Sequence, residues 1–75
     1  MRLDTKKVEE IVASFVKEKI PDVASISFEK IEFKDRFYEY WVNLFARKTD
    51  GITLCIFCRV EAGTGRIINY TCSVY

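Results

Sequence analysis

The strongest constraint on this chain lies between Phe37 and Ile68, where apolar side chains recur at even-numbered positions in two successive runs. Successive side chains of a β-strand point to opposite faces, so an apolar side chain at every second position predicts a strand with one buried face. In both halves of this stretch the apolar positions carry even numbers: Tyr38, Tyr40, Val42, Leu44 and Ala46, then Ile52, Leu54, Ile56, Cys58 and Val60. Two strands therefore share one buried face.

The loop between these two strands must keep both even-numbered sets on that face. A two-residue turn at Asp50-Gly51 would point one set at solvent, whereas a three-residue loop at 49–51 keeps the sets together. Gly51 is then expected in the left-handed conformation that closes such a loop. The predicted pairs are Lys48–Ile52, Ala46–Leu54, Leu44–Ile56 and Val42–Cys58.

Before this hairpin, the sequence predicts a helix and a further strand. Apolar residues from Val8 to Ile20 recur at helical spacing, which indicates an amphipathic helix from about Thr5 to Lys19 with Asp4 as its N-cap. A strand follows from about Val23 to Lys34, and its apolar residues change from even-numbered to odd-numbered positions after Phe28. A β-bulge near Glu29-Lys30 would restore the pattern; without it, Ile31 and Phe33 would face outward. With the bulge, the predicted pairs are Phe28–Val42, Ile31–Tyr40 and Phe33–Tyr38.

A second turn, at 61–66, leads to the last strand. A three-residue loop is predicted there as well, because it keeps the even-numbered side chains of both strands on one face. Gly65 is then expected in the left-handed conformation. The last strand should be an exposed edge with few charges, which favours pairing with another chain. Its predicted pairs are Val60–Ile68, Cys58–Tyr70, Ile56–Cys72 and Leu54–Val74.

The predicted fold is α+β, with one N-terminal amphipathic helix packed on a curved four-stranded antiparallel β-meander (αββββ). Residues 1–75 are expected to form a single domain, since a chain of this length supports one core. The predicted core comprises Val8, Ile11, Val12, Phe15, Val16, Ile26, Phe28, Val42, Leu44, Leu54, Ile56, Cys58, Ile68, Tyr70 and Cys72.

Composition narrows the possible functions. Twelve Lys and Arg against eleven Asp and Glu give a formal net charge of +1, so no broad attraction to nucleic acid or anionic membrane is expected. The first twenty residues carry charges throughout and contain no long apolar run, which predicts a cytoplasmic protein with no membrane span. A domain this small also has little room for an active-site cavity.

The sequence offers little for catalysis or cofactor binding, and we expect no enzyme, no cofactor and no metal site. There is no His to activate a nucleophile or to ligate zinc. Cys55 and Cys58 lie three apart on a strand and point to opposite faces, so a redox pair is not expected. The three thiols, including Cys72, are predicted to be reduced and buried. Glu39 and Glu61 should lie opposite each other, where like charges can raise the pKa of one.

The odd-numbered face of the sheet carries the candidate partner-binding residues. A single helix covers one face, so the aromatics on the other are exposed or covered from outside the chain. Trp41 should lie opposite Arg59 in reach of a cation–π contact. The candidate residues are Phe37, Trp41, Phe45, Phe57, Arg59 and Ile67.

Several uses of this odd-numbered face remain open. The favoured one is docking of a protein partner, with a homodimer as its most testable form, either on the face or along the last strand. Alternatives are single-stranded nucleic acid stacked on the aromatics, for which the near-neutral charge is unfavourable, and coverage by the sheet's own long side chains. A small apolar ligand between sheet and helix is a further alternative.

Four stretches resemble the PepSY domain: Lys30-Ile31-Glu32-Phe33, Phe37-Tyr38-Glu39-Tyr40-Trp41-Val42, Thr49-Asp50-Gly51 and Val60 to Ile68. That family has an N-terminal helix followed by strands, a Tyr-x-Val middle strand, an Asp-Gly turn and a final Val-Asp-Ala-x-Thr-Gly-x-Val signature. Glu61 stands where that family usually has Asp. The resemblance implies a non-enzymatic domain that inhibits or restrains peptidases and mediates contacts near the cell envelope. A looser likeness to cystatin-type sheets lacks the inhibitor motif Gln-x-Val-x-Gly, because the chain contains no Gln.

Overall fold

The computed structural model describes all 75 residues and confirms the α+β fold. One helix, α1 (Thr5–Lys19), packs on a four-stranded antiparallel sheet in the order β1-β2-β3-β4. The chain has no helix with the length and apolar character needed to cross a membrane. The strands are β1 (Val23–Lys34), β2 (Glu39–Lys48), β3 (Thr53–Glu61) and β4 (Ile67–Val74).

The helix begins and ends where the sequence predicts. The Asp4 side chain accepts a hydrogen bond from the Lys7 N–H at 2.8 Å, which satisfies one of the free amides of the first turn. At the other end, the Ile20 N–H donates to the Val16 carbonyl, and Pro21 prevents a further turn. The helix buries one stripe against the sheet, formed by Val8, Val12 and Val16.

The β2–β3 hairpin has the predicted register. Leu44 pairs with Ile56 and Val42 with Cys58, so the even-numbered side chains of both strands face the helix. Gly51 adopts a φ of 89°, and the Lys48 N–H donates to the Ile52 carbonyl to close the three-residue loop. The buried core is Val8, Val12, Val16, Tyr40, Val42, Leu44, Ala46, Leu54, Ile56, Cys58, Val60 and Ala62.

The predicted bulge in β1 is confirmed, but the predicted register of β1 is wrong. The register shifts between Phe28 and Lys30, which brings Ile31 and Phe33 to the core as expected. The observed pairs lie two residues further along β2 because the turn before β2 is longer: it contains four residues, 35–38, and ends on Tyr38 with a φ of 55°. A second bulge, at Ala24, was not predicted. The observed pairs are Phe28–Leu44, Ile31–Val42 and Phe33–Tyr40.

The β3–β4 loop is one residue longer than predicted. The Ala62 N–H donates to the Tyr38 carbonyl, and the Ala62 carbonyl accepts from the Leu3 N–H, so Ala62 is held outside the hairpin ladder. The loop therefore comprises residues 62–65, closed by the Glu61 N–H donating to the Arg66 carbonyl. Gly65 has the predicted left-handed conformation, with a φ of 79°.

A bulge at Ile68 compensates for that extra residue. Val60 pairs with Ile67 rather than with Ile68, and beyond the bulge the predicted pairs Cys58–Tyr70, Ile56–Cys72 and Leu54–Val74 are confirmed. Ile67 therefore packs against the core and Ile68 does not, which corrects both assignments.

The helix leaves most of β4 uncovered, and this corrects the core assignments of Tyr70 and Cys72. Tyr70 and Cys72 lie on the helix side of the sheet but are exposed, although Phe15 contacts the Tyr70 ring edge-on at 4.9 Å. Cys55 is also exposed, on the opposite face, so Cys58 is the one buried thiol. Ile11, predicted as core, is half-buried.

Truncation of Ile56 tests the position of the core. Ile56 is 1% exposed, and we expect Ile56→Ala to lower the free energy of unfolding by about 2–5 kcal/mol through lost burial and a residual cavity. The matched control is Ile52→Ala, because Ile52 is 44% exposed and its truncation should cost under about 0.5 kcal/mol. Urea denaturation measures both, and equal costs would contradict the assigned core.

The two left-handed glycines provide a second matched pair. A Cβ on Gly65 would lie 2.5 Å from the Ile11 Cδ1 and 3.1 Å from the Leu3 Cδ1, whereas a Cβ on Gly51 would meet nothing within 4 Å. Both Ala variants carry the backbone strain of a positive φ, about 1–2 kcal/mol. Gly65→Ala should therefore destabilise the protein more than Gly51→Ala in the same urea assay, and the reverse order would refute the packing of the N-terminal segment on this loop.

Candidate protein-interaction site

The outer face of the sheet, opposite the helix, holds most of the aromatic residues that the sequence placed there. Phe37 is 56% exposed and stacks on Trp41 with ring centroids 6.2 Å apart. Trp41 in turn meets Phe57 edge-on at 5.8 Å. Phe45 belongs to a separate contact, with the Tyr75 ring at 5.1 Å. The structure therefore brings together three of the candidate residues and separates Phe45 from them.

Ile67 does not lie on this outer face, contrary to the sequence prediction. The bulge at Ile68 reverses the side to which the preceding residue points, so Ile67 pairs with Val60 and packs against the core on the helix side. Ile67 therefore contributes nothing to an outer-face site.

A buried carboxylate organises the outer face. Glu39 is only 7% exposed, and its Oε1 accepts hydrogen bonds from the Trp41 Nε1 at 3.0 Å and the Arg59 Nε at 2.9 Å. Its Oε2 accepts from the Arg59 Nη2 at 2.9 Å, which completes a bidentate ion pair. Such charge-assisted pairs are the stronger class of hydrogen bond, and here they fix the orientation of both the indole and the guanidinium.

This pairing corrects the expected cation–π contact of Arg59 with Trp41. The guanidinium lies along the Glu39 carboxylate, and the cation above the Trp41 ring is Lys34, whose Nζ is 4.9 Å from the ring centroid. Trp41 therefore has the predicted type of contact with a different partner.

The pKa of Glu39 is lowered, although Glu61 lies opposite it in the sheet. Glu39 does pair with Glu61 across the strands, but hydrogen bonding to Arg59 holds the pKa of Glu39 below its ordinary value of 4.5, against the raising effect of burial. The Glu61 carboxylate has other partners, since it accepts a hydrogen bond from the Thr64 hydroxyl and lies 3.8 Å from the Arg66 Nε.

The side chains of the outer face thus cover one another in part, and their buried polar atoms are paired. Trp41 and Phe57 are half-buried and contact each other, and Lys34 lies over the Trp41 ring. Phe45 is half-buried too, and its ring contacts Tyr75. Every buried side-chain nitrogen and oxygen has a hydrogen-bond partner. Phe37 is left as the one strongly exposed aromatic among the predicted candidates.

Strand β4 is the other surface of the sheet with exposed apolar and aromatic side chains. Tyr70 and Val74 on the helix side of β4 are 38% and 74% exposed, and Tyr75, just after the strand, is 82% exposed. The open edge agrees with the sequence prediction, whereas the exposure of Tyr70 and Cys72 does not. The sequence does contain a signal for this exposure: it predicts one helix and four strands, and one helix is too narrow to cover four strands.

The backbone of β4 is also unpaired on its outer side. The Tyr75 N–H donates to the Thr53 carbonyl, which makes 75 and 53 a hydrogen-bonded pair. Hydrogen-bonding residues alternate along an antiparallel strand, so Tyr70, Cys72 and Val74 direct their N–H and C=O groups away from β3. No strand lies beyond β4 to receive them.

The opposite edge of the sheet, β1, is protected. It contains two bulges, at Ala24 and Glu29, and it carries the charged side chains of Lys30, Glu32 and Lys34. Bulges and charges are the features that discourage a sheet edge from pairing with another chain. Between Ile67 and Tyr75, β4 carries no charged side chain, so the two edges differ sharply in their capacity to add a strand.

The groove between α1 and β4 offers little to a small apolar ligand. Its volume is about 410 Å³, and its apolar lining is limited to Ile11, Phe15 and Ile67, with Lys7 and Glu18 among the charged residues of its wall. The structure also contains no group of three or more Cys, Asp or Glu side chains arranged to hold a metal ion.

Comparisons of this chain with protein-family models, with curated proteins and with solved structures found no match. The resemblance to the PepSY domain rests on the sequence stretches named above and stays a prediction.

The ion pair of Glu39 predicts a specific pH dependence of stability. Because the pKa of folded Glu39 lies below 4.5, its stabilising contribution is complete above pH 4.5 and is lost as the pH falls through the folded-state pKa. Glu39→Gln should therefore lower the urea midpoint at pH 7, and the gap to the parent protein should narrow below about pH 4.5.

Glu18→Gln is the control for this measurement, since Glu18 is exposed on the helix and makes no ion pair. Its urea midpoint should stay near that of the parent protein at both pH values. A Glu39→Gln gap that is the same at pH 7 and pH 3 would show that the carboxylate charge does not stabilise the fold.

Proposed function

We propose that this chain is a non-enzymatic protein-interaction domain that binds by adding a strand to β4. The observation that carries this proposal is the open edge of β4, where unpaired backbone groups coincide with exposed, uncharged side chains at Tyr70, Cys72 and Val74. Strand addition uses both features, since the backbone supplies hydrogen bonds and the alternate side chains supply specificity.

The partner class that fits this edge is an extended, uncharged and partly apolar peptide segment. On the helix side of the sheet it would contact Tyr70 and Val74, and on the outer side it would pass beside Tyr75. A peptidase whose extended segment pairs with β4 would fit both this surface and the resemblance to PepSY.

Single-stranded nucleic acid fits the surface less well. The guanidinium of Arg59, which would neutralise a phosphate beside the outer aromatics, is engaged by Glu39 on two nitrogens. The formal net charge of +1 adds little long-range attraction to a polyanion.

Selection from a library of random displayed peptides tests strand addition directly. We expect enriched peptides to be rich in β-branched and aromatic residues, and their titration into the dilute, isotopically labelled protein should shift the amide resonances of Tyr70, Cys72 and Val74. Val74→Lys should weaken peptide binding about tenfold, because Val74 is 74% exposed and a charge at an edge disfavours pairing.

The matched control is Ile52→Lys, the same type of change at an exposed position in the β2–β3 loop. It should leave peptide binding unchanged. Enriched peptides that shift the Trp41 indole resonance and leave β4 unaffected would contradict binding at this edge, as would a library that yields no binder.

A further inference from the structure

We propose that the strand added to β4 is the β4 strand of a second copy of this chain, paired antiparallel about a two-fold axis that passes beside Cys72. This inference rests on the proposed function and names the partner. It follows from three properties of the edge: where its regular stretch is centred, which side chains that centre brings together, and which edges remain after pairing.

The regular part of β4 fixes the position of the axis. The bulge at Ile68 interrupts the strand at one end, and at the other end Tyr75 lies opposite Thr53, where β3 begins. The uninterrupted stretch is therefore 69–75, and its middle residue is Cys72. Because Cys72 directs its N–H and C=O away from β3, it can form a hydrogen-bonded pair with the same residue of the second copy.

With the two-fold axis beside Cys72, exposed side chains of the two copies lie opposite each other. Residues whose numbers sum to 144 lie opposite, so Tyr70 faces the partner's Val74 and Val74 faces the partner's Tyr70. Aromatic and β-branched residues form favourable cross-strand pairs. Tyr70 and Val74, both exposed on the helix side of β4, would therefore contact each other twice in one dimer.

The lack of charge on β4 and the protection of the edges that remain after pairing favour a second copy as the partner. No charged side chain lies between Ile67 and Tyr75, so two identical edges meet without like-charge repulsion. A two-fold pairing uses the same surface on both copies and yields one continuous eight-stranded sheet with both helices on the same face. The edges left free are both β1, which bulges and charges protect, so the assembly stops at two copies.

Disulfide cross-linking tests the register. In a Cys55→Ser background, Cys72 is the one exposed thiol, because Cys58 is buried and burial raises its pKa to about 11. Added diamide takes two electrons and two protons from a pair of thiols and is reduced to the hydrazine. We expect a covalent dimer, since the backbone separation of a hydrogen-bonded pair suits a disulfide, and none after Cys72→Ser.

Neighbouring positions distinguish this axis from others. In a background that carries both Cys55→Ser and Cys72→Ser, residue 71 of one copy faces residue 73 of the other, on the outer side of the sheet. A mixture of Thr71→Cys and Ser73→Cys chains should therefore give mainly the mixed disulfide. Thr71→Cys chains that cross-link to each other as efficiently as to Ser73→Cys chains would overturn the Cys72 axis.

Sedimentation equilibrium of the reduced protein provides the non-covalent test. The parent should form dimers and nothing larger, Val74→Lys should weaken dimerisation about tenfold or more, and the matched Ile52→Lys should not. Circular dichroism checks that both variants remain folded. A dimer that Val74→Lys leaves unchanged and Phe37→Ser abolishes would overturn the proposal in favour of the outer face.

Failure of this inference is distinguishable from failure of the proposed function. A parent chain that stays monomeric at millimolar concentration and forms no Cys72 disulfide overturns self-pairing. If that monomer still binds selected peptides through Tyr70, Cys72 and Val74, strand addition to β4 stands with a different protein as the partner.

Discussion

One helix of fifteen residues is the only layer that this chain places on a four-stranded sheet, and the exposed surfaces of the protein follow from its width. The stripe of Val8, Val12 and Val16 forms one core cluster with the even-numbered side chains of β2 and β3. Two regions stay uncovered: the outer face of the sheet and β4 from Asn69 onward. The first is covered largely by its own side chains, and the second is not.

The outer face is stabilised from within by Glu39. A carboxylate this buried requires partners, and Trp41 and Arg59 provide three hydrogen bonds to it. Those bonds hold the indole against Phe57 and engage the guanidinium that a ligand could otherwise use. No comparable arrangement exists on β4, where Val74 and Tyr75 remain mostly exposed and the outward backbone groups lack partners. This contrast is why the proposed site lies at the edge of the sheet and not on its aromatic face.

Much of the fold could be predicted because alternation is a local property. The even-numbered positions of Leu44 and Ile56 fix the buried face of the sheet. The change of the apolar pattern from even to odd positions after Phe28 marks a bulge that the structure confirms. The errors depend on non-local contacts. Tyr38 adopts a positive φ that is uncommon for a bulky residue, and the hydrogen bonds between Ala62 and its distant partners lengthen the last loop. Likewise, the choice of Arg59 between a ring and a carboxylate depends on side-chain geometry, which strand pairing alone does not specify.

Hydrogen exchange along β4 tests the open edge most directly. In dilute solution the amides of Tyr70, Cys72 and Val74 should exchange rapidly, while those of Thr71 and Ser73, which face β3, should be protected. At high protein concentration the first three should become protected as well, because a second β4 strand then pairs with them. Protection of Tyr70, Cys72 and Val74 that does not change between micromolar and millimolar protein, whether high or low, would contradict a free edge that pairs with another copy.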